Sequence, residues 1–183
     1  MATNIVLQNI RGSYVHIMEP YAAQPGQDAK YSMTILLPKT DTAGKAQLDA
    51  AIAAAVEQGK AQKWNGVAPV QVPHPVHDGD GLKANGEPFG AECKGHWVFT
   101  ASSKLPIEVV NGQMQKILSP TEVYSGAYYN VAVNFYPYLY SGKKGIAAGL
   151  GPVQKVADGE SFGGSAPSAS SVFSAVGAPA DPF

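Results

Sequence analysis

SGAYYNVAVNFYPYLYSGKKG, residues 125–145, is the stretch on which the fold turns. Counted from Tyr124, this run and its approach hold six of the chain's nine tyrosines. Strand side chains alternate between faces, so Tyr129, Val131, Val133, Phe135 and Leu139 fall on one side. Tyr128, Asn130, Ala132, Asn134, Tyr136, Tyr138 and Tyr140 fall on the other. The first set is a core face. The second mixes aromatic rings with amides, which suits stacking on flat ligands while exchanging hydrogen bonds. Lys143 and Lys144 follow in the SGKKG turn and set cations beside the rings, the pairing that single-stranded nucleic acid binding uses. A two-sided buried strand whose tyrosine hydroxyls find partners accounts for the same residues, and both readings stay open. Pro137 is the point where a bulge would flip the parity of everything after it.

Before this strand, Asn111-Gly112 between residues 107–110 and 113–118 gives a hairpin signal. Ser119-Pro120-Thr121-Glu122 has the form of a capping box with proline at the first helical position. Residues 96–102, HWVFTAS, alternate Trp97, Phe99 and Ala101 against His96, Val98, Thr100 and Ser102. Residues 30–37, KYSMTILL, bury Tyr31, Met33, Ile35 and Leu37 in the same manner. Residues 4–11 and 14–18 read as two strand pieces joined at Gly12, or as one strand bent there. A single confident helix starts at a cap on Asp41 or Thr42 and runs to about residue 58. Leu48, Ala51, Ile52, Ala55 and Val56 form its stripe and Gly59 its stop. After the tyrosine strand, residues 146–156 read as a closing strand loosened by Gly149 and Gly151.

Between the helix and residue 96 the sequence has less pattern. Lys63 and Trp64 beside the Asn65-Gly66 turn make either a base-stacking corner or a core anchor. Residues 68–92 are rich in Pro, Gly, Asp and His and form a long irregular loop. His74, His77, Asp78 and Asp80 within it are metal-ligating types. Prolines at Pro73 and Pro75 deny them a helix, however, and neither a calcium loop nor a His-Glu-x-x-His pattern is present. A solvated Asp-Gly turn is the simpler account, and no cofactor is expected.

With 183 residues and 45% hydrophobic content the chain suits one domain with a tail. The net charge is −1, yet all thirteen Lys and Arg lie at or before Lys155, against eleven acids in that region. A mildly basic body, about +2 by subtraction, therefore carries an acidic tail. Residues 1–156 are assigned to the domain. Residues 157–183, dominated by Gly, Ser, Ala and Pro, are assigned to a disordered tail. Its end, Asp181-Pro182-Phe183, is a candidate plug for a basic, apolar pocket on another protein. Cys93 is the only cysteine, and no stretch approaches the ~18 apolar residues of a membrane span. The expected setting is cytoplasmic, that of the host cell if the protein is phage-encoded, without a membrane partner.

Taken in order, NIRGSYVHIMEPY, KYSMTILLPKTD, AQKWNG, VHDGDG, GHWVFTASSKLPIEV, YSGAYYNVAVNFYPY and KKGIAAGL resemble the bacteriophage single-stranded-DNA-binding proteins long filed as a domain of unknown function. The likeness covers residues 5–156. It implies a mainly β, OB-fold-like antiparallel barrel with one main helix that coats DNA exposed in replication and recombination. It also implies an acidic, aromatic C-terminal tail that recruits replication or recombination proteins. Here the tail keeps the final Phe but has only three acids, a departure from strong electrostatic recruitment. Independently of the resemblance, a small barrel with an aromatic face and a basic loop is what an OB-fold offers a nucleic acid strand.

The expected function is thus non-catalytic binding and protection of single-stranded DNA. The candidate contacts are Tyr128, Asn130, Asn134, Tyr136, Tyr138, Tyr140, Lys143, Lys144, Lys63 and Trp64. Two alternatives are carried: a metal-dependent nuclease or phosphoryl hydrolase using residues 74–80, and a self-assembling structural protein whose tyrosine face packs on its own copies. A homo-oligomer is compatible with either binding or assembly.

Overall fold

The computed structural model describes residues 3–22, 24–83 and 85–162. Eight elements follow in chain order: β1 (Asn4–Tyr21), β2 (Lys30–Pro38), α1 (Thr42–Gln62), β3 (His77–Asp78), β4 (His96–Ser103), β5 (Val109–Val110), β6 (Tyr128–Tyr140) and β7 (Lys143–Ala157). Single 3₁₀ turns occupy Ala91–Cys93 and Pro120–Glu122. Among the described residues, no helix is long and apolar enough to cross a membrane.

The first strand is one continuous run of 18 residues rather than two pieces. Its bends lie not at Gly12 but at Asn9 (φ 55°) and Tyr14 (φ 47°), next to breaks in register with β6 and β2. Such bends allow its first half to pair with β6 and its second half with β2. Gly12 is needed for space, since a Cβ there would lie 2.5 Å from Met33 Cε and 2.8 Å from the Tyr129 ring. β2 pairs with β4, β6 with β7, and a parallel contact between Ser102 and Gly149 joins β4 to β7. The ring β1-β2-β4-β7-β6 is therefore closed, an OB-type barrel with its helix between the second and third barrel strands.

The core consists of the inward residues of all five strands, including Leu7, Ile10, Met33, Ile35, Phe99, Val131, Val133, Phe135 and Leu150. Tyr129 is fully buried. Its hydroxyl donates to the Tyr124 carbonyl at 2.8 Å and accepts from the Tyr124 amide at 3.0 Å, while burial pushes the phenol far above its ordinary pKa. Tyr31, expected in the core, is only half-buried.

Asp41 caps α1 by accepting from the Gly44 amide at 2.9 Å. The helix continues one turn past Gly59. That glycine is a packing residue: a Cβ would lie 2.8 Å from the Trp64 ring. The stop comes later, where Lys63 and Trp64 amides share the Gly59 carbonyl and Asn65 and Gly66 take positive φ. The capping box at Ser119 does not form. Ser119 makes no side-chain bond to the turn amides, and its hydroxyl pairs with Thr121 instead. The Asn111-Gly112 turn does form, held by Asn111 Oδ1 accepting from the Gln113 and Gln115 amides. Its arms contribute only the two-residue β5 and a bridge from Val110 to Lys116.

The barrel does not end at residue 156. β7 extends to Ala157, and residues 158–162 lie along the surface. The Arg11 guanidinium donates to Glu160 O at 2.8 Å and Gly126 O at 2.9 Å and sits 4.2 Å over the Phe162 ring. Phe162 packs on Leu36, Cys93 and Val98. Residues 163–183, which carry Asp181, Pro182 and Phe183, lie outside the described residues.

Candidate nucleic-acid interface

Parity holds through Pro137: Tyr136, Pro137 and Tyr138 stay in register with Ala147, Ile146 and Gly145 of β7. The outward face of β6 is largely knitted to its neighbours. Asn130 donates to Gln154 Oε1 at 2.8 Å and accepts from the Asn9 amide at 2.9 Å, and Asn134 Oδ1 accepts from Thr3 Oγ1 at 3.1 Å. Tyr128 lies under Arg11, 5.4 Å from ring centroid to guanidinium. The Tyr138 ring covers Gly145 and that of Tyr136 approaches Gly149, so both supply the side-chain cover the glycines lack. Tyr136 remains 41% exposed and Tyr140 is 77% exposed. Leu139, assigned to the core, is 48% exposed because β6 has by then run past the barrel end into the hairpin tip.

The tip turns on Ser141 and Gly142, both at positive φ, and Lys143 already belongs to β7. Lys144 is committed to the fold, its ammonium donating to Val67 O at 2.9 Å. Trp64 is the core anchor and not a stacking corner. It is 1% exposed, and its indole donates to Tyr138 O at 3.0 Å, fastening the helix end under the hairpin. Lys63, Tyr140 and Lys143 stay exposed.

The metal alternative meets a direct obstacle. The Lys39 ammonium lies 2.6 Å from Asp78 and 2.8 Å from Asp80, between the two carboxylates. These hydrogen bonds raise the lysine above its ordinary pKa and hold both carboxyls below theirs. Asp78 also closes an Asx turn on the Asp80 amide. Among the described residues, no three His, Cys, Asp or Glu side chains form a group able to hold a metal ion.

The concave surface lies elsewhere, on the outer face of β1, β2 and β4. Two adjoining hollows share Tyr14, Thr34 and Thr100 and make one trough. Its floor is a double row of hydroxyls in register, Ser32 opposite Ser102 and Thr34 opposite Thr100, the threonines 2.9 Å apart. Tyr14, 69% exposed, stands at the middle, held there by a backbone angle that a bulky residue rarely adopts. Towards the β1–β2 loop, His16 and Tyr21 stack at 4.3 Å and 9° between planes, with Lys30 and Lys104 beside them. At the far end stand Phe89, His77 and Lys83.

Of these groups only His77 was singled out from the sequence, and there as a metal-ligating type. The signal was present in two strands: Ser32 and Thr34 share one face of KYSMTILL, which starts at Lys30, and Thr100 and Ser102 share one face of HWVFTASS, which Lys104 follows. A third hollow shares Ser102 with the trough and reaches Gly149, beneath Tyr136, on its way to Asn134. The trough and the exposed part of the β6 face are thus joined through the β4–β7 contact.

A closed barrel of this strand order, carrying an aromatic, hydroxyl-floored and lysine-flanked trough, places the fold in the class of small OB-type barrels. The chain belongs to the family described as Enterobacter phage Enc34, ssDNA-binding protein, whose model matches residues 3–182. The single-stranded DNA-binding protein from bacteriophage Enc34, solved in complex with ssDNA, is similar at 31% identity and a TM-score of 0.73, over 88% of this chain and 90% of that one. Protein p50 of Acyrthosiphon pisum secondary endosymbiont phage 1 is 29% identical over 171 residues, 87% of this chain and 86% of its own length. The single-stranded DNA-binding protein gp2.5 of bacteriophage T7 shares the fold, with a TM-score of 0.57 at 15% identity.

Proposed function

We propose that this chain binds single-stranded DNA without catalysis, along the trough of β1, β2 and β4, and so protects strands exposed in phage replication or recombination. The observation that carries this is the trough itself. Exposed Tyr14 and the stacked His16–Tyr21 pair offer π-faces at two points along a hydroxyl floor, and Lys30 and Lys104 flank one end. Stacking supplies ~1–3 kcal/mol per base whatever the sequence, and lysines hold the phosphates. From Ser102 the strand continues over Gly149 to Tyr136 and then to Tyr140, Lys143 and Lys63 at the hairpin tip. Asn130, Asn134, Tyr128 and Tyr138 support that surface from within the sheet. Asp181, Pro182 and Phe183 would serve as a hook for a replication or recombination protein.

Titration of the full chain with oligo-dT at low salt tests this reading. Tyr14→Ala should weaken binding about tenfold, within the range for one lost stacking platform. Lys30→Ala with Lys104→Ala should flatten the dependence of log affinity on log salt by ~0.7 per contact. Unchanged affinity in both variants would place the DNA elsewhere.

A further inference from the structure

The far end of the trough has a feature that phosphate binding does not explain. Its hollow, about 470 Å³ and within the ~300–1,000 Å³ range of ligand sites, is lined by Phe89, Lys83, Thr34, Thr100 and Glu92. Glu92 is half-buried, and among the described residues no donor satisfies its carboxylate. The side chain folds back over Gly90, where a Cβ would lie 2.5 Å from one carboxylate oxygen. Gly90 has an ordinary negative φ (−58°), so it is needed here for the room it leaves and not for its backbone freedom. The neighbouring Cys93 thiol, raised mainly by burial, is raised further by Glu92 and lowered by Lys83, which places both charges at this hollow. Beside them Phe89 presents a ring, with His77 tilted against it at 6.2 Å and Lys83 only loosely over it at 5.9 Å.

A carboxylate in a groove for a polyanion repels phosphate and can only accept hydrogen bonds. It is useful there if what enters is a donor. On nucleic acid the donors are the exocyclic amino groups and the ring N–H groups of the bases, and a Glu accepting from the N4 amino group of cytosine is an established pairing. Thymine presents carbonyl oxygens on either side of its single N–H and would set an acceptor against the carboxylate.

We infer that this hollow is a base-reading subsite, in which Phe89 stacks a nucleobase and the Glu92 carboxylate accepts from its exocyclic amino group, so that binding favours cytosine over thymine. This rests on the trough being the DNA path, and the two can fail separately. Competition titrations of the full chain with oligo-dC and oligo-dT of equal length, at neutral pH and matched salt, measure the ratio of affinities. The expected preference for dC is about tenfold, the order that one good side-chain-to-base contact supplies. Glu92→Gln should bring the ratio near one, since an amide accepts and donates, while tightening dT binding at low salt through loss of a negative charge. Glu92→Ala should abolish the preference as well, which guards against a folding defect in either variant. Equal affinities in the unsubstituted chain, or a preference that survives both substitutions, would overturn the subsite. If Tyr14→Ala weakens both oligomers equally while no preference exists, only the subsite fails. If Tyr14→Ala changes neither, the trough itself is wrong.

Discussion

Trp64 and Tyr14 show how aromatic side chains serve opposite ends at the scale of the residue. Trp64, beside Lys63 in sequence, is buried against Gly59 and tied to Tyr138 O. Trp64→Ala should destabilise the fold by ~3–5 kcal/mol with affinity per folded molecule retained, measured by denaturant unfolding beside oligo-dT titration. Tyr138→Ala should behave in the same sense, since its ring covers Gly145. Tyr14 is the reverse case, an exposed ring on a strained backbone. Tyr14→Gly should relieve the strain, leaving the melting temperature unchanged or raised, while weakening DNA binding. The Lys39–Asp78–Asp80 cluster sets a pH dependence. Both carboxyls lie below their ordinary pKa of 3.8 in the fold, so their contribution is present above that value and lost as pH falls through the folded-state values. Melting of the wild type should therefore fall faster than that of Lys39→Met between about pH 4 and pH 2.

At the scale of elements, the root of the tail behaves as part of the barrel. Residues 158–162 are held by the Arg11 guanidinium, by the Tyr124 hydroxyl bonded to Gly159 and by Phe162 on its apolar patch. Removing residues 163–183 should leave the melting temperature nearly unchanged, whereas removing 158–183 should lower it by several degrees, with Arg11→Ala lowering it in the same sense. Equal melting of the two truncations would show that these contacts contribute nothing. The β6–β7 hairpin divides its two lysines in a similar way. Lys143→Ala should reduce the salt slope by ~0.7, while Lys144→Ala should loosen the hairpin from the helix end without changing that slope.

For the whole molecule, affinity depends on a few well-placed charges, because the net charge is −1. Lys30, Lys63, Lys83, Lys104 and Lys143 are the cations along the proposed path, so the salt slope on poly-dT should not exceed about −3.5 at ~0.7 per contact. A much steeper slope would require phosphate contacts on another face. The proposed path crosses three strands, and its floor depends on the register that sets Thr34 against Thr100. A substitution that shifts β4 against β2 by one residue would turn hydroxyls inward and empty the floor.

The sequence by itself determined the period of β2, β4 and β6, the cap and stripe of α1, the core face of β6 through Pro137 and the family. All of these are local or ordered patterns, written in the alternation of residues such as Val131, Val133 and Phe135. It also held the outward hydroxyls of β2 and β4, but nothing in either strand alone says that Thr34 and Thr100 are neighbours. Only the tertiary structure decided which rings are free. Tyr136, Tyr138, Tyr14 and Trp64 are alike as sequence, and their exposure follows from what lies across from them: a glycine to be covered, a helix end to be anchored, or nothing. Asp78 and Asp80 have the spacing of ligands, yet Lys39, distant in sequence, reaches between them. Contacts between residues far apart along the chain settle such questions, because exposure and charge pairing belong to the packed surface and not to the strand that supplies the side chain.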